Sequence, residues 1–142
     1  MSFCVLDASC AFPWVFIDEA TPEADALLDQ IGQVGAVVPA LWHIEIANGL
    51  GMALRRGRLT PERTLAAIDL LSALPLEVDG AAPSRALGAV LDLMGVHGLT
   101  AYDAVYLDLA LRRSLPLATQ DNALQAAARR AGVALASVAS SN

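Results

Sequence analysis

Phe3-Cys4-Val5-Leu6-Asp7 is a short apolar run closed by an acid, and Pro116-Leu117-Ala118-Thr119-Gln120-Asp121 has the same design near the other end of the chain. Runs this short and this apolar read as buried strands. Between them lie two more, Ala36-Val37-Val38 closed by Pro39, and Leu76-Glu77-Val78 after Pro75. The intervening segments carry helical spacing. Pro22 to Ile31 has apolar residues at that spacing and acids in its first turn, and Leu41 to Arg56 ends in arginines before Gly57. Thr60 and Thr100 each stand as an N-cap, the first followed by Pro61 and the second opening a helix to about Arg113. Ser84 to Met94 and Asn122 to Ala131 complete the helices, and Val133 to Val138 reads as a final strand. Strands that alternate with helices imply an α/β fold in three layers: a central, mostly parallel sheet of four or five strands flanked by helices.

One domain over residues 1–142 is expected, because a chain of 142 residues has no room for a second core. Its apolar share of 56% is high for a water-soluble domain. The longest internal charge-free stretch, Gln30 to Ile44, is nevertheless too short to cross a bilayer and is broken by Gly32, Gly35 and Pro39. The surplus apolarity points to elements buried on both faces, and to a further apolar face used for oligomerisation. With no basic leader ahead of Phe3, and with Cys4 and Cys10 in apolar company, a cytoplasmic protein with buried free thiols is expected.

All nine basic residues are arginines. The absence of lysine removes a Walker A phosphate loop, a Schiff base and a Ser-Lys dyad. A net charge of −6 argues against unaided binding to a phosphate backbone. A nucleic-acid function must then rest on local arginine patches, or on metal ions that reverse the sign inside a pocket.

In a parallel sheet, ligands sit at the carboxyl ends of the strands. Asp7 and Asp121 occupy such ends, and Asp103 lies in the first turn after Thr100. Glu45 lies in a helix that is apolar around most of its circumference, through Leu41, Ile44, Ile46, Ala47 and Leu50, with Asn48 three residues further on. A carboxylate there has no basic partner in its own turn, and a cation would offset the cost of its burial. Each acid also has a plainer reading: Asp103 as part of a capping box, Asp121 as an N-cap, Asp7 as a turn residue, Glu45 as a solvated helix residue. Ser9 and Thr119 are candidate hydroxyl donors beside the acids, although such residues more often simply end strands and turns. Asp108, five residues after Asp103, points away and meets solvent or a partner. Trp14 and Trp42 read as core anchors, and His43 and His97 lack the partners of a zinc site.

The segments Val5-Leu6-Asp7-Ala8-Ser9, Glu45-Ile46-Ala47-Asn48, Leu99-Thr100-Ala101-Tyr102-Asp103-Ala104-Val105-Tyr106 and Leu117-Ala118-Thr119-Gln120-Asp121 resemble, in order and spacing, those of the PIN-domain family and its VapC-like toxins. That resemblance implies a PIN-like fold and a metal-dependent endoribonuclease, the toxin of a type II toxin–antitoxin pair that inhibits translation. It implies Mg2+ or Mn2+ held by Asp7, Glu45, Asp103 and Asp121, with Asp7 and Asp103 as principal ligands and Ser9, Asn48 and Thr119 in support. It also implies cleavage to a 5′-phosphate and a 3′-hydroxyl, a small antitoxin partner that silences the site, and a homodimer. RNA would be steered by Arg55, Arg56 and Arg58, or by the pairs Arg112–Arg113 and Arg129–Arg130, which equally suit solvated helix ends. A carboxylate cluster holding a hard cation fits phosphodiester hydrolysis. The alternatives are a non-catalytic PIN-like module that binds RNA or protein, and a phosphoaspartyl protein. The second is disfavoured by the missing lysine and by the lack of a second acid in Asp7-Ala8-Ser9.

Overall fold

In the computed structural model, which describes residues 2–136, the four short apolar runs pair into one parallel sheet in the order β3-β2-β1-β4. The strands are β1 (Val5–Leu6), β2 (Ala36–Pro39), β3 (Leu76–Asp79) and β4 (Leu117–Ala118). Val5 sits between Val37 and Leu117, so β1 and β2 occupy the centre of the sheet. Every residue of β1, β2 and β4 is buried, whereas β3 at the edge exposes Val78. Full burial on both faces explains why the central strands are apolar without alternation.

Of the final strand expected over Val133 to Val138, one parallel bridge remains, Leu135 to Leu117, and residues 137 and 138 lie outside the described residues. It is flanked by hydrogen bonds from the Leu117 N–H to the Ala134 carbonyl and from the Ala136 N–H to the Leu117 carbonyl.

Helices α1 (Pro22–Val34), α2 (Leu41–Arg55), α3 (Pro61–Ser72) and α6 (Ala101–Arg113) follow the sequence expectation closely, and α7 (Asn122–Arg130) does too. Thr21, Thr60, Thr100 and Asp121 accept the N-terminal amide hydrogen bonds of α1, α3, α6 and α7. The helix expected over Ser84 to Met94 is longer and not uniform. It comprises α4 (Ala82–Arg85), a π turn over Ala86–Val90 and α5 (Leu91–His97). Gly88, a weak helix former, lies within the widened turn. Three short 3-10 turns over Ala8–Cys10, Phe12–Trp14 and Ile17–Glu19 replace a helix after β1 and carry the chain across the carboxyl edge of the sheet.

The core joins both sheet faces, with Trp42, Tyr106, Ile31 and Leu124 among its most enclosed side chains. Trp14 anchors the turns by donating its indole N–H to the Ala24 carbonyl at 2.7 Å. Cys4 and Cys10 are buried free thiols, each pushed up to about 12 by burial. No described helix is long and apolar enough to cross a membrane.

Candidate active site

Parallel pairing puts the ends of β1 and β4 on one edge, and the start of α6 and the first turns of α2 open onto it. A cleft of about 760 Å³ results, lined by Asp7, Ser9, Glu45, Asn48, Asp103 and Asp121 among others. The fold thus brings together four acids that are spread over the chain from Asp7 to Asp121.

Asp7 is the deepest of them, 4% exposed. Its Oδ2 accepts hydrogen bonds from the hydroxyls of Ser9 and Thr119, each at 2.7 Å. Those hydroxyls are themselves fixed from the β4 side, because the Gln120 N–H donates to Ser9 Oγ and the Asp121 N–H to Thr119 Oγ1. The ends of β1 and β4 are therefore stitched through the Asp7 carboxylate. Burial raises the Asp7 pKa and outweighs the two hydroxyls, with repulsion from Asp121 adding to the rise.

Asp103 caps nothing with its own carboxylate among the described hydrogen bonds. It contributes its N–H to Thr100 Oγ1. Its carboxyl is pushed up to about 6, first by burial and then by the charges of Asp121 and Asp7. Asp121 has two roles, since Oδ1 caps α7 through the Leu124 N–H at 2.8 Å while the residue also faces the cleft. Glu45 is raised by burial and by the charges of Asp7 and Asp103, and is relieved in part by Tyr106, whose hydroxyl donates to Oε1 at 2.6 Å.

Tyr106 is the functional neighbour that sequence reading passed over. Its position three residues after Asp103 on α6 was a usable signal, because such residues share a helix face. Asn48 lines the cleft from α2, three residues beyond Glu45, and is exposed. None of the four acids forms a salt bridge among the described residues. As they stand, no three described Asp, Glu, His or Cys side chains converge closely enough to grip a common ion.

The arginines are distributed differently from the sequence expectation. Arg58 is engaged, donating to Asp18 at 3.1 Å and to Glu19 at 2.7 Å, with its guanidinium 3.9 Å from the Phe16 ring centre. Arg112 and Arg113 bind Asp79, and Arg112 also binds Asp108, which makes these arginines structural. Asp108 does lie away from the cleft, but it is 4% exposed and paired with Arg85 and Arg112 rather than solvated. Arg55 and Arg56 are exposed at the end of α2, and only Arg56 of the two borders a cavity next to the site.

With that geometry in hand, comparison with known proteins is direct. The family model for the PIN domain matches residues 4–130. The chain belongs to the PIN domain family. This PIN protein is 29% identical to Ribonuclease VapC1 of Mycobacterium tuberculosis over 125 residues, in two strains, with 78% of this chain and 92% of that protein covered. The crystal structure of PAE2754 from Pyrobaculum aerophilum matches it with a TM-score of 0.65 at 25% identity, over 87% of this chain and 77% of that one. The PIN-like α/β fold expected from the sequence is the fold observed.

Proposed function

We propose that this PIN protein is a divalent-metal-dependent endoribonuclease, the toxin of a toxin–antitoxin pair, with Asp7, Glu45, Asp103 and Asp121 as its catalytic and metal-holding residues. One observation carries the assignment: Asp7, Glu45, Asp103 and Asp121 line one cleft, and none of these four is paired with an arginine among the described residues. The similarity to a ribonuclease over most of the chain supports the same reading.

The donor set is all oxygen and all carboxylate, which suits a hard cation such as Mg2+ or Mn2+. Asp7, Glu45, Asp103 and Asp121 would hold such an ion, and since no three described acids converge as they stand, waters would complete its shell. When bound, such an ion supplies an activated water and neutralises charge on the scissile phosphate.

The chain's own residues do the remaining work. Ser9 and Thr119 fix the Asp7 carboxylate in one orientation, so the principal ligand does not have to be ordered when the ion arrives. Tyr106 occupies Oε1 of Glu45, and Oε2 has no partner among the described side chains. Glu45 is therefore poised to take the proton of the attacking water as that oxygen bonds to phosphorus. The bond from phosphorus to the 3′ oxygen breaks, that oxygen takes up a proton, and the products carry a 5′-phosphate and a 3′-hydroxyl.

A partner that silences the enzyme would supply the cation this chain withholds from its own site: a basic segment of a small antitoxin, favoured also by the net charge of −6. The homodimer belongs to the same proposal. Leu87, Leu91 and Val96 are exposed on the helical run before α6, and apolar side chains of this kind are what a second copy would cover. Translation arrest in the cytoplasm follows from RNA as the target.

The decisive experiment compares wild type with Asp7→Asn on RNA in millimolar Mg2+ or Mn2+. Wild type is expected to leave 5′-phosphate ends, and Asp7→Asn to lose at least about a hundredfold in rate while remaining folded. Equal cleavage by both proteins would overturn the assignment. Wild-type protein that binds manganese and RNA yet leaves the RNA intact would favour the non-catalytic module instead.

A further inference from the structure

The acidic cleft does not end at the carboxylates. Phe12, Glu19, Asn48 and Gly49 line it and also line a second hollow of about 420 Å³, whose far side carries Met52 and Arg56. The two hollows adjoin along α2, with the Phe12 ring resting on Gly49 where they meet. Glu45, Asn48, Met52 and Arg56 recur at intervals of three and four residues, with Gly49 beside Asn48, so one stripe of α2 and its C-cap Arg56 line both hollows. Along that stripe Arg56 stands ~16 Å from Glu45, eleven residues at the helical rise.

The wall opposite is aromatic. Phe12 lies so close over α2 that a Cβ at position 49 would come within 2.3 Å of its ring, and glycine there is what allows the approach. Phe12 and Phe16 are stacked at 5.9 Å between ring centres, and the Arg58 guanidinium lies over Phe16. The one anion lining this stretch, Glu19, is paired at 2.7 Å with Arg58, which it shares with Asp18. Arg56 is exposed and has no ion pair among the described residues. The lining therefore changes character along α2, from uncompensated acids, past a half-buried aromatic face, to a cation without an ion pair among the described residues.

We infer that the two hollows act as one channel for the single-stranded RNA flanking the scissile bond, with Phe12 as a stacking face for a base and Arg56 as the contact for a backbone phosphate, a role that presupposes the nuclease assignment above. An aromatic face accepts any base, and an arginine at the far end compensates for the repulsion RNA meets from the acids at the near end. Arg58 holds the aromatic wall in place rather than touching RNA. Arg56 and Phe12 thus explain how a chain of net charge −6 gathers a polyanion.

The test uses full-length protein and two labelled oligoribonucleotides sharing one cleavage site, a trinucleotide and a dodecamer. Arg56→Gln is expected to raise KM for the dodecamer several-fold more than KM for the trinucleotide. In the Asp7→Asn background, the same change should flatten the salt dependence of dodecamer binding by about 0.7 in the log–log slope, the loss of one phosphate contact. Arg63→Gln, which removes an equal charge from α3, should leave that slope alone. Phe12→Leu is expected to weaken dodecamer binding at least about fivefold at constant salt slope. Gly49→Ala, which drives a methyl into the ring, should do the same without removing the aromatic side chain. Melting curves verify that each variant is folded.

An unchanged dodecamer-to-trinucleotide KM ratio and an unchanged salt slope in Arg56→Gln would overturn the channel assignment, as would a channel whose variants alter only the binding of a protein partner. Wild-type protein that cleaves no RNA would sink the nuclease reading separately, since the binding slopes still report on the channel.

Discussion

Two groups of buried and half-buried acids lie in this small protein, and they have been treated in opposite ways. Asp79 and Asp108 sit where β3, α4 and α6 meet. Asp108 receives Arg85 at 2.6 Å and Arg112 at 3.1 Å, while Asp79 receives Arg112 at 2.9 Å and Arg113 at 3.1 Å. Arg113 continues the network to Glu77 on the edge strand. Asp7, Glu45, Asp103 and Asp121 receive hydroxyls and one backbone amide, and no guanidinium.

The consequences run in opposite directions. The hydrogen bonds of Arg112 hold the Asp79 carboxyl well below the usual range. Asp108 is also held low, because its arginines outweigh the burial that pushes it up. Asp7, Glu45 and Asp103 are all raised, burial being the largest cause in each. A cluster whose charges are compensated internally serves the fold, and a cluster left uncompensated costs stability until something cationic enters. Asp7 and Asp108 are equally buried, each 4% exposed, and have opposite roles, which the arginines decide.

The contrast is most sharply broken by removing one arginine. Arg112→Ala strips a partner from both Asp79 and Asp108, which are 9% and 5% exposed as side chains, and should destabilise the fold by about 2–4 kcal/mol. Urea denaturation measures it. A loss below about 0.5 kcal/mol would mean that the network is no more than a surface decoration.

A smaller effect of opposite sign is expected at the cleft. Asp103 is raised to about 6 from an ordinary 3.8, so the folded protein binds its proton more tightly than the unfolded chain does. Its contribution to stability is complete below the unfolded value and is lost as pH rises through about 6. Without divalent ions, the melting temperature should therefore climb as pH falls from 7 towards 5. Asp79 and Asp108, held low, stay ionised across that window and do not oppose the trend. Asp103→Asn should flatten the climb and raise the melting temperature at pH 7. Millimolar Mg2+ or Mn2+ should remove the same slope in wild type by stabilising the ionised form. A melting temperature independent of both pH and metal would show that the acids do not sense one another.

Tyr106→Phe should give the smallest effect. Tyr106 holds Glu45 by a single hydrogen bond, and its loss leaves Glu45 raised further by burial. The acidic limb of the kcat profile should move to higher pH, with a rate loss at neutral pH of about tenfold or less. An unmoved profile would place Glu45 outside the proton transfer.

The sequence alone determined the strands, the helix caps and the list of acids. Apolar runs too short for helices and too apolar for exposure admit few structures, and Thr60, Thr100 and Asp121 begin helices by chemistry local to each. Carboxylates at the ends of parallel strands then share an edge by topology. Four things were settled only by tertiary structure. These were the capture of Arg58 by Asp18 and Glu19, the pairing of Asp79 and Asp108 with three arginines, the bond from Tyr106 to Glu45, and the placing of Phe12 beside the acid cleft with Arg56 in the adjoining hollow. Except for the turn from Asp108 to Arg112, these pairings link residues far apart in the chain, and side-chain reach across packed elements leaves no periodicity to read. A sequence shows where charges are, and only packing shows which of them have been neutralised.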